Sequence, residues 1–245
     1  MITSLKNEKV KNWKKLHKRK TRMENQTFLI EGFHLLEEAF NSCWIIKEVI
    51  IQHTVALPDW CNRLPVVEVS EQVFRQISRT ESPQGIAAVV AMKEVQKIEG
   101  NQILLIDAVQ DPGNLGTMIR TADACGFAGI IAGLDTVDIY NDKVIRATQG
   151  SLFHIPVYQQ ELKDEIIRLK KKKFQVWATA LQGAEQFNFV PVPEKTALIV
   201  GNEGAGVRES LLAAADKTVR IPIYGKAESL NVSVAAGILM YYLKQ

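Results

Sequence analysis

Short apolar runs alternate with stretches of helical spacing along most of this chain. Phe28-Leu29-Ile30 reads as a strand, and from Gly32 to Phe40 the apolar positions Phe33, Leu36 and Phe40 keep one helix face. Val49-Ile50-Ile51, Val66-Val67 and Ile86 to Val90 are further strand candidates, so residues 27–92 form a small α/β unit. Lys93 to Gly100 is charged and weakly apolar, as expected of a linker, which we bound at 93–101.

From Gln102 onward the strand-then-helix rhythm becomes regular. Ile103 to Ile106 is a continuous apolar run ending at Asp107, as in a parallel strand buried on both faces. Leu115, Met118, Ile119 and Ala122 keep helical spacing, and Gly126 suits a left-handed cap. Gly129 to Ala132, Val176 to Ala180 and Ala197 to Val200 are further strands, while Lys163 to Lys173 is a polar helix ending in four lysines. Asn231 to Leu243 is nearly all apolar and is expected to be a helix buried on more than one side. This alternation predicts a parallel-rich sheet covered on both faces over residues 102–245.

Charge adds a third segment. Residues 1–26 hold nine Lys/Arg against two Glu, net +7, while the rest hold 21 Lys/Arg against 25 Asp/Glu, net −4. A basic arm on a mildly acidic body suits phosphate contacts, and equally a solvated helix; Trp13 and His17 within it are candidate base-stacking rings. The run of four lysines has the same two readings, a helix C-terminus in water or an RNA contact. No apolar run is long enough to span a bilayer, and the basic start lacks the apolar core of a signal peptide. Cys43, Cys61 and Cys125 lack metal-like spacing, so a reducing cytoplasm without a zinc site is the expected setting.

Three glycine-containing turns follow predicted strands: Asp107 to Gly116, Gly201 to Gly206, and Ile221 to Asn231. Ligands of open α/β sheets bind beyond the carboxyl ends of strands, so these turns suggest one composite site. The spacing in GNEGAG is not the dinucleotide fingerprint, and no phosphate-binding loop of the G-x-x-x-x-G-K-[ST] type is present. Asp107 and Asp111 read as turn residues around Pro112-Gly113 rather than an acid pair.

Taken together, DPGNLGTMIRTADACG (Asp111 to Gly126), LIVGNEGAGV (Leu198 to Val207) and IPIYGKAESLNVSVAAGILMY (Ile221 to Tyr241) resemble the three motifs of the SpoU-type, or TrmH-like, ribose methyltransferases of the SPOUT superfamily. FLIEGFHLLEEA and SPQGIAAVV resemble that family's substrate-binding domain. The resemblance implies a small α/β substrate-binding domain followed by a parallel-sheet domain tied in a trefoil knot, a topology that ordinary chain-threading priors disfavour. It also implies a homodimer that takes a methyl group from S-adenosylmethionine, leaves S-adenosylhomocysteine, needs no metal, and acts on a ribose 2′-hydroxyl of RNA. Ribosomal RNA of the large subunit is preferred over transfer RNA as the target by analogy alone. A non-catalytic RNA-binding or ribosome-assembly factor on the same fold is the alternative.

The resemblance assigns roles beside what local physics explains. Asn114, just before a helix starting near Leu115, is an N-cap or an organiser of the active site. Arg120, one turn into that helix, is a solvated residue by default; the motif makes it the guanidinium that meets the target nucleotide. Because arginine keeps its proton beyond about pH 12, proton removal is assigned to no residue. Glu203 is a turn carboxylate or, by the motif, a buried organiser or partner of Arg120. Ser229 and Asn231 open the last helix and by the motif position ribose or donor, while Gly201, Ile221 and Leu230 are carried over as donor-binding positions.

Overall fold

The computed structural model describes residues 1–94 and 97–245, so positions 95 and 96 of the expected linker lie outside the described residues. The first stretch contains helices α1 (Glu8–Lys15) and α2 (Arg19–Asn25), strand β1 (Thr27–Glu31), helix α3 (Phe33–Asn41), strands β2 (Ile46–Gln52) and β3 (Val66–Val69), helix α4 (Glu71–Ile77) and strand β4 (Ile86–Ala91). The second begins with strand β5 (Gln102–Ile106), helix α5 (Pro112–Ala124), strand β6 (Gly129–Ala132), helix α6 (Asp142–Thr148), strand β7 (Val157–Gln159), helix α7 (Leu162–Lys171) and strand β8 (Gln175–Thr179). It continues with strands β9 (Glu185–Gln186) and β10 (Thr196–Val200), helix α8 (Glu209–Leu212), strand β11 (Lys217–Arg220) and helix α9 (Val232–Tyr242). These elements fall into two compact units, Met1–Glu94 with Tyr140–Phe153, and Val95–Ile139 with His154–Gln245.

The smaller unit is built on a four-stranded sheet, β1-β4-β2-β3, antiparallel except for the parallel pair β2/β3. Residues 1–26, expected as a separate basic arm, are instead built into this unit. Val10, Trp13 and Leu16 are buried in one cluster with Leu29, Ile50, Phe74, Ile77 and Val89. The period of 3 between them puts all three on one helical face and leaves the lysines outside. Trp13 is 2% exposed and its indole Nε1 donates to Glu48 at 2.7 Å, while His17 Nε2 lies 2.8 Å from the Ile77 carbonyl. Neither ring is therefore presented for base stacking, and burial lowers the His17 pKa from its ordinary value. Ile2 forms a parallel bridge to Val69, pairing the chain start with β3.

Segment Tyr140–Phe153, sequentially inside the predicted methyltransferase domain, also belongs to this smaller unit. Its Tyr140 ring lies 4.6 Å from Phe28, and Phe153 lies 5.2 Å from Trp44, whose Nε1 donates to the Phe153 carbonyl at 3.1 Å. Aromatic edges and faces thus hold an excursion that strand and helix periodicity did not assign.

The larger unit carries a fully parallel sheet ordered β7-β6-β5-β10-β8-β11-β9. Central strands β5, β6 and β10 are apolar and buried on both faces, as their sequences predict. Helix α7 covers one face, burying Leu162, Ile166 and Leu169 with Ile103, Leu105, Val176 and Ile199. Helices α5 and α9 pack together and lie against β6 and β10. Within the chain α9 buries Ser233, Ala236, Leu239 and Met240 on one side only; Val234, Ile238 and Tyr241 stay exposed, which corrects the expectation of burial on several sides. Gly126, at φ 72°, ends α5 left-handed as expected.

Replacing Trp13 with alanine is expected to destabilise the smaller unit by about 3–5 kcal/mol, the usual cost of deleting a buried aromatic side chain. Urea denaturation followed by far-UV circular dichroism measures it, and a cost near zero would return residues 1–26 to the status of a loose arm.

Candidate functional site

The parallel sheet changes direction of growth between β5 and β10, and ligand sites of such sheets lie beyond the carboxyl ends of strands at that point. The loops leaving β5 and β10 carry the first two motifs, and the third runs from the end of β11 into α9. A cleft of about 440 Å³ opens beyond the carboxyl ends of β8, β10 and β11, one step along the sheet from that point, lined by Thr179 to Gln182, Gly201 to Val207, and Val219 to Ile221, Ile223, Ser229 and Leu230. Of the expected positions, Gly201, Glu203, Ile221, Ser229 and Leu230 line it.

Gly201 has a steric reason to be glycine. A Cβ there would come within 2.1 Å of the Gly206 carbonyl carbon and 2.2 Å of the Val207 nitrogen. The loop is pinched on itself, with Asn202 and Gly206 exchanging backbone hydrogen bonds at 3.0 and 2.9 Å. Its first glycine thus serves close approach of chain to chain.

Pinching presents Glu203 to the first motif. Its carboxylate accepts from the backbone N–H of Gln110 (3.2 Å) and Asp111 (3.1 Å) and from the side-chain amides of Asn114 (3.1 Å) and Asn202 (3.3 Å). Partial burial alone would raise its pKa; the hydrogen bond from Asn114 and those from backbone donors outweigh it and hold the carboxyl below its ordinary value. Glu203 is exposed rather than buried, and it does not pair with Arg120; its acceptor sites are filled by these neutral donors.

Asn114 is not the helix N-cap. Asp111 takes that place, accepting from Asn114 N–H at 2.8 Å, with Pro112 in the first turn. Released from capping, the Asn114 side chain donates to Glu203 and accepts from Asn231 Nδ2 at 2.9 Å. Asn231 in turn caps α9, its Oδ1 accepting from Ser233 N–H (2.9 Å) and Oγ (2.6 Å). Glu203, Asn114 and Asn231, one from each motif, therefore form one chain of hydrogen bonds. Ser229 is exposed at the cleft and does not cap the last helix, which begins at Val232. Arg120 is exposed on α5 and makes no hydrogen bond or ion pair among the described residues.

Sequence reasoning missed a second anchor. Asp107, read as a turn residue, is fully buried and accepts from Arg208 N–H at 2.8 Å and Arg208 Nε at 2.7 Å; Arg208 also meets Asp135 at 3.1 Å. The hydrogen bond to Asp107 holds the Arg208 pKa above its ordinary value. The signal was available, since a carboxylate closing an all-apolar buried strand needs a donor from somewhere. Also missed was the wall from Thr179 to Gln182, although Val176 to Ala180 was read as a strand whose carboxyl end the same ligand rule covers.

Comparison with known proteins matches residues 101–241 to the SpoU rRNA Methylase family and residues 7–88 to the MRM3-like substrate binding domain. The 23S rRNA (guanosine(2553)-2′-O)-methyltransferase RlmP of Bacillus subtilis (strain 168) is 49% identical over 99% of this chain and 98% of its own length. An AdoMet-bound rRNA methyltransferase from Sinorhizobium meliloti superposes with a TM-score of 0.89 at 33% identity, covering 99% of this chain and 96% of that one. The SpoU methyltransferase AviRb from Streptomyces viridochromogenes, in complex with AdoMet, gives a TM-score of 0.89 at 25% identity, covering 98% of this chain and 97% of its own.

The lowered Glu203 pKa has a definite acid-side consequence. A carboxylate depressed in the fold contributes stability that is fully present above its ordinary unfolded value and lost as pH falls through the lower folded value. Glu203→Gln is expected to lower stability near neutral pH and to flatten the pH dependence of urea midpoints below about pH 4.5. A variant whose acid limb matches the parent would show that this carboxylate is not held as described.

Proposed function

Because this chain belongs to the SpoU methylase family and carries a substrate-binding domain ahead of it, we propose that it methylates a ribose 2′-hydroxyl of ribosomal RNA. The convergence of three motifs through Glu203, Asn114 and Asn231, beside a cleft of small-molecule size, carries this reading. The full-length similarity to RlmP supports the large-subunit RNA as substrate, and we take the guanosine named for that relative as the target to test first. A cytoplasmic setting follows from such a substrate; no described helix is long and apolar enough to cross a membrane.

The cleft suits S-adenosylmethionine. Val219, Ile221, Ile223, Leu230 and Leu239 offer apolar walls for a flat base, and the backbone of Gly201 to Gly206 offers polar groups along one side. When bound, that donor supplies a methyl group on a sulfonium that already leaves well, so alignment is the larger share of the work. Gly201, Ile221 and Leu230 are the positions assigned to hold it, and the trefoil knot implied by the family belongs to the same reading.

Arg120 is assigned to the acceptor. Its fork of donors has no partner among the described residues, and a planar guanidinium suits a phosphate or ribose. Asn114 has both ends of its amide taken, so it holds α5 against the other motifs, leaving Ser229 at the cleft as the exposed hydroxyl near donor and ribose. Arginine is a poor base, so the hydroxyl proton is assigned to no side chain. Exposed lysines on α1 and α2 give the substrate-binding unit a positive surface for RNA phosphates, even with Trp13 buried.

A homodimer belongs to this proposal. Val234 (51% exposed), Ile238 (39%) and Tyr241 (56%) form an apolar stripe on α9 at i, i+4 and i+7, a self-complementary face for an isologous contact. Ile238→Asp is expected to shift the protein to monomer in sedimentation velocity, whereas an unchanged sedimentation coefficient would remove α9 from the interface. Arg120→Ala is expected to bind S-adenosylmethionine normally in calorimetry while losing about 100-fold or more in methyl transfer to 23S ribosomal RNA from tritiated donor. Near-normal turnover would end the Arg120 assignment, and a parent protein that binds no donor would favour a non-catalytic RNA-binding role.

A further inference from the structure

Building on that reading, we propose that the amino edge of the seven-stranded sheet is a second RNA site, a lysine-lined cleft that grips phosphates of the same ribosomal RNA away from the reacting ribose. Gly100, Phe174 and Lys195 stand just before β5, β8 and β10, and with Lys97, Arg168 and Lys172 they line a cleft of about 340 Å³. The methyl-donor cleft lies at the opposite ends of these strands. A five-residue strand spans about 17 Å, so the two clefts meet different nucleotides of one RNA.

Helix α7 ends at Lys171, within a run of four lysines from Lys170 to Lys173. One cation in a last turn answers the helix dipole, and Lys170 already pairs with Asp216 at 2.7 Å. The run nevertheless continues past the helix. Lys172 is the C-cap, and Lys173 follows at φ 64°, a left-handed conformation that glycine adopts without strain and lysine does not. Helix termination does not select a lysine at that position.

Lys195 joins from another element, its Nζ 6.0 Å from the Phe174 ring centroid. Lys97 pairs with Glu99 at 3.0 Å and Arg168 donates to Glu165 at 2.8 Å. Lys171, Lys172, Lys173 and Lys195 have no ion-pair partner among the described residues, and Glu99, the carboxylate that senses Lys172, is already held by Lys97. Outside its first 26 residues the chain is net negative, so general basicity does not explain this concentration. Glu99 also lines the cleft but is taken by Lys97, so the unpaired lysines around it repel one another, and a polyanion laid across them removes that repulsion and releases its own counterions.

The test compares the full-length parent with a triple variant, Lys171→Gln, Lys172→Gln and Lys195→Gln. Binding of deproteinised 23S ribosomal RNA is titrated between about 50 and 200 mM salt, where each lost phosphate contact removes about 0.7 to 0.9 from the log–log salt slope. The slope is expected to fall by about two to three and KM for RNA to rise roughly tenfold, with kcat and donor affinity held. Lys173→Gly separates charge from folding, because it is expected to match or exceed the parent Tm while binding RNA more weakly. Parental slope and KM in the triple variant, or parental RNA affinity in Lys173→Gly, would overturn this site while leaving the methyltransferase reading intact. A parent that neither binds nor methylates the RNA would overturn that reading itself.

Discussion

A carboxylate placed among neutral donors organises the carboxyl edge of the larger unit. Glu203 accepts from two backbone N–H groups at the start of the first motif and from two side-chain amides, one of them Asn114. Each donor fixes a different stretch of chain, and losing the acceptor would leave several polar groups competing for water. Asn114 then passes the constraint to Asn231, whose other end caps α9. Three loops that have no reason to meet in sequence are thereby held in one register beside the cleft. Asp107 and Arg208 repeat the principle with charge, tying the end of β5 to the chain just beyond the pinched loop.

The loop itself is possible because of size rather than polarity. At Gly201 the opposing backbone comes closer than any side chain would allow, so the turn closes and Glu203 is carried toward Asn114. Cleft, carboxylate and helix cap depend on one another in this way. A ligand entering between the loops meets groups already oriented, which is what a transfer reaction dominated by alignment requires.

The smaller unit shows the opposite relation between charge and burial. Residues 1–26 are strongly basic, yet Val10, Trp13 and Leu16 sit in its core while the lysines face outward. An amphipathic helix with a highly charged outer face hides its buried face from any average over composition. Tyr140–Phe153 likewise crosses from one sequence segment into the other unit, held by the rings of Phe28 and Trp44.

Local chemistry alone determined a good deal. Apolar runs predicted β5, β6, β8 and β10 because strands buried on both faces must be continuously hydrophobic, and Gly126 marked a helix end because a left-handed residue was needed there. The three motifs, read as a set, pointed to the family. Tertiary structure decided which groups touch. It moved the cap of α5 from Asn114 to Asp111, gave Glu203 to Asn114 instead of Arg120, and paired Asp107 with Arg208 across 101 positions of sequence. It also sank Trp13 into the core and left one side of α9 bare. Periodicity carries burial along a single element, whereas a hydrogen bond between distant loops depends on strand order and loop closure, which no local pattern encodes.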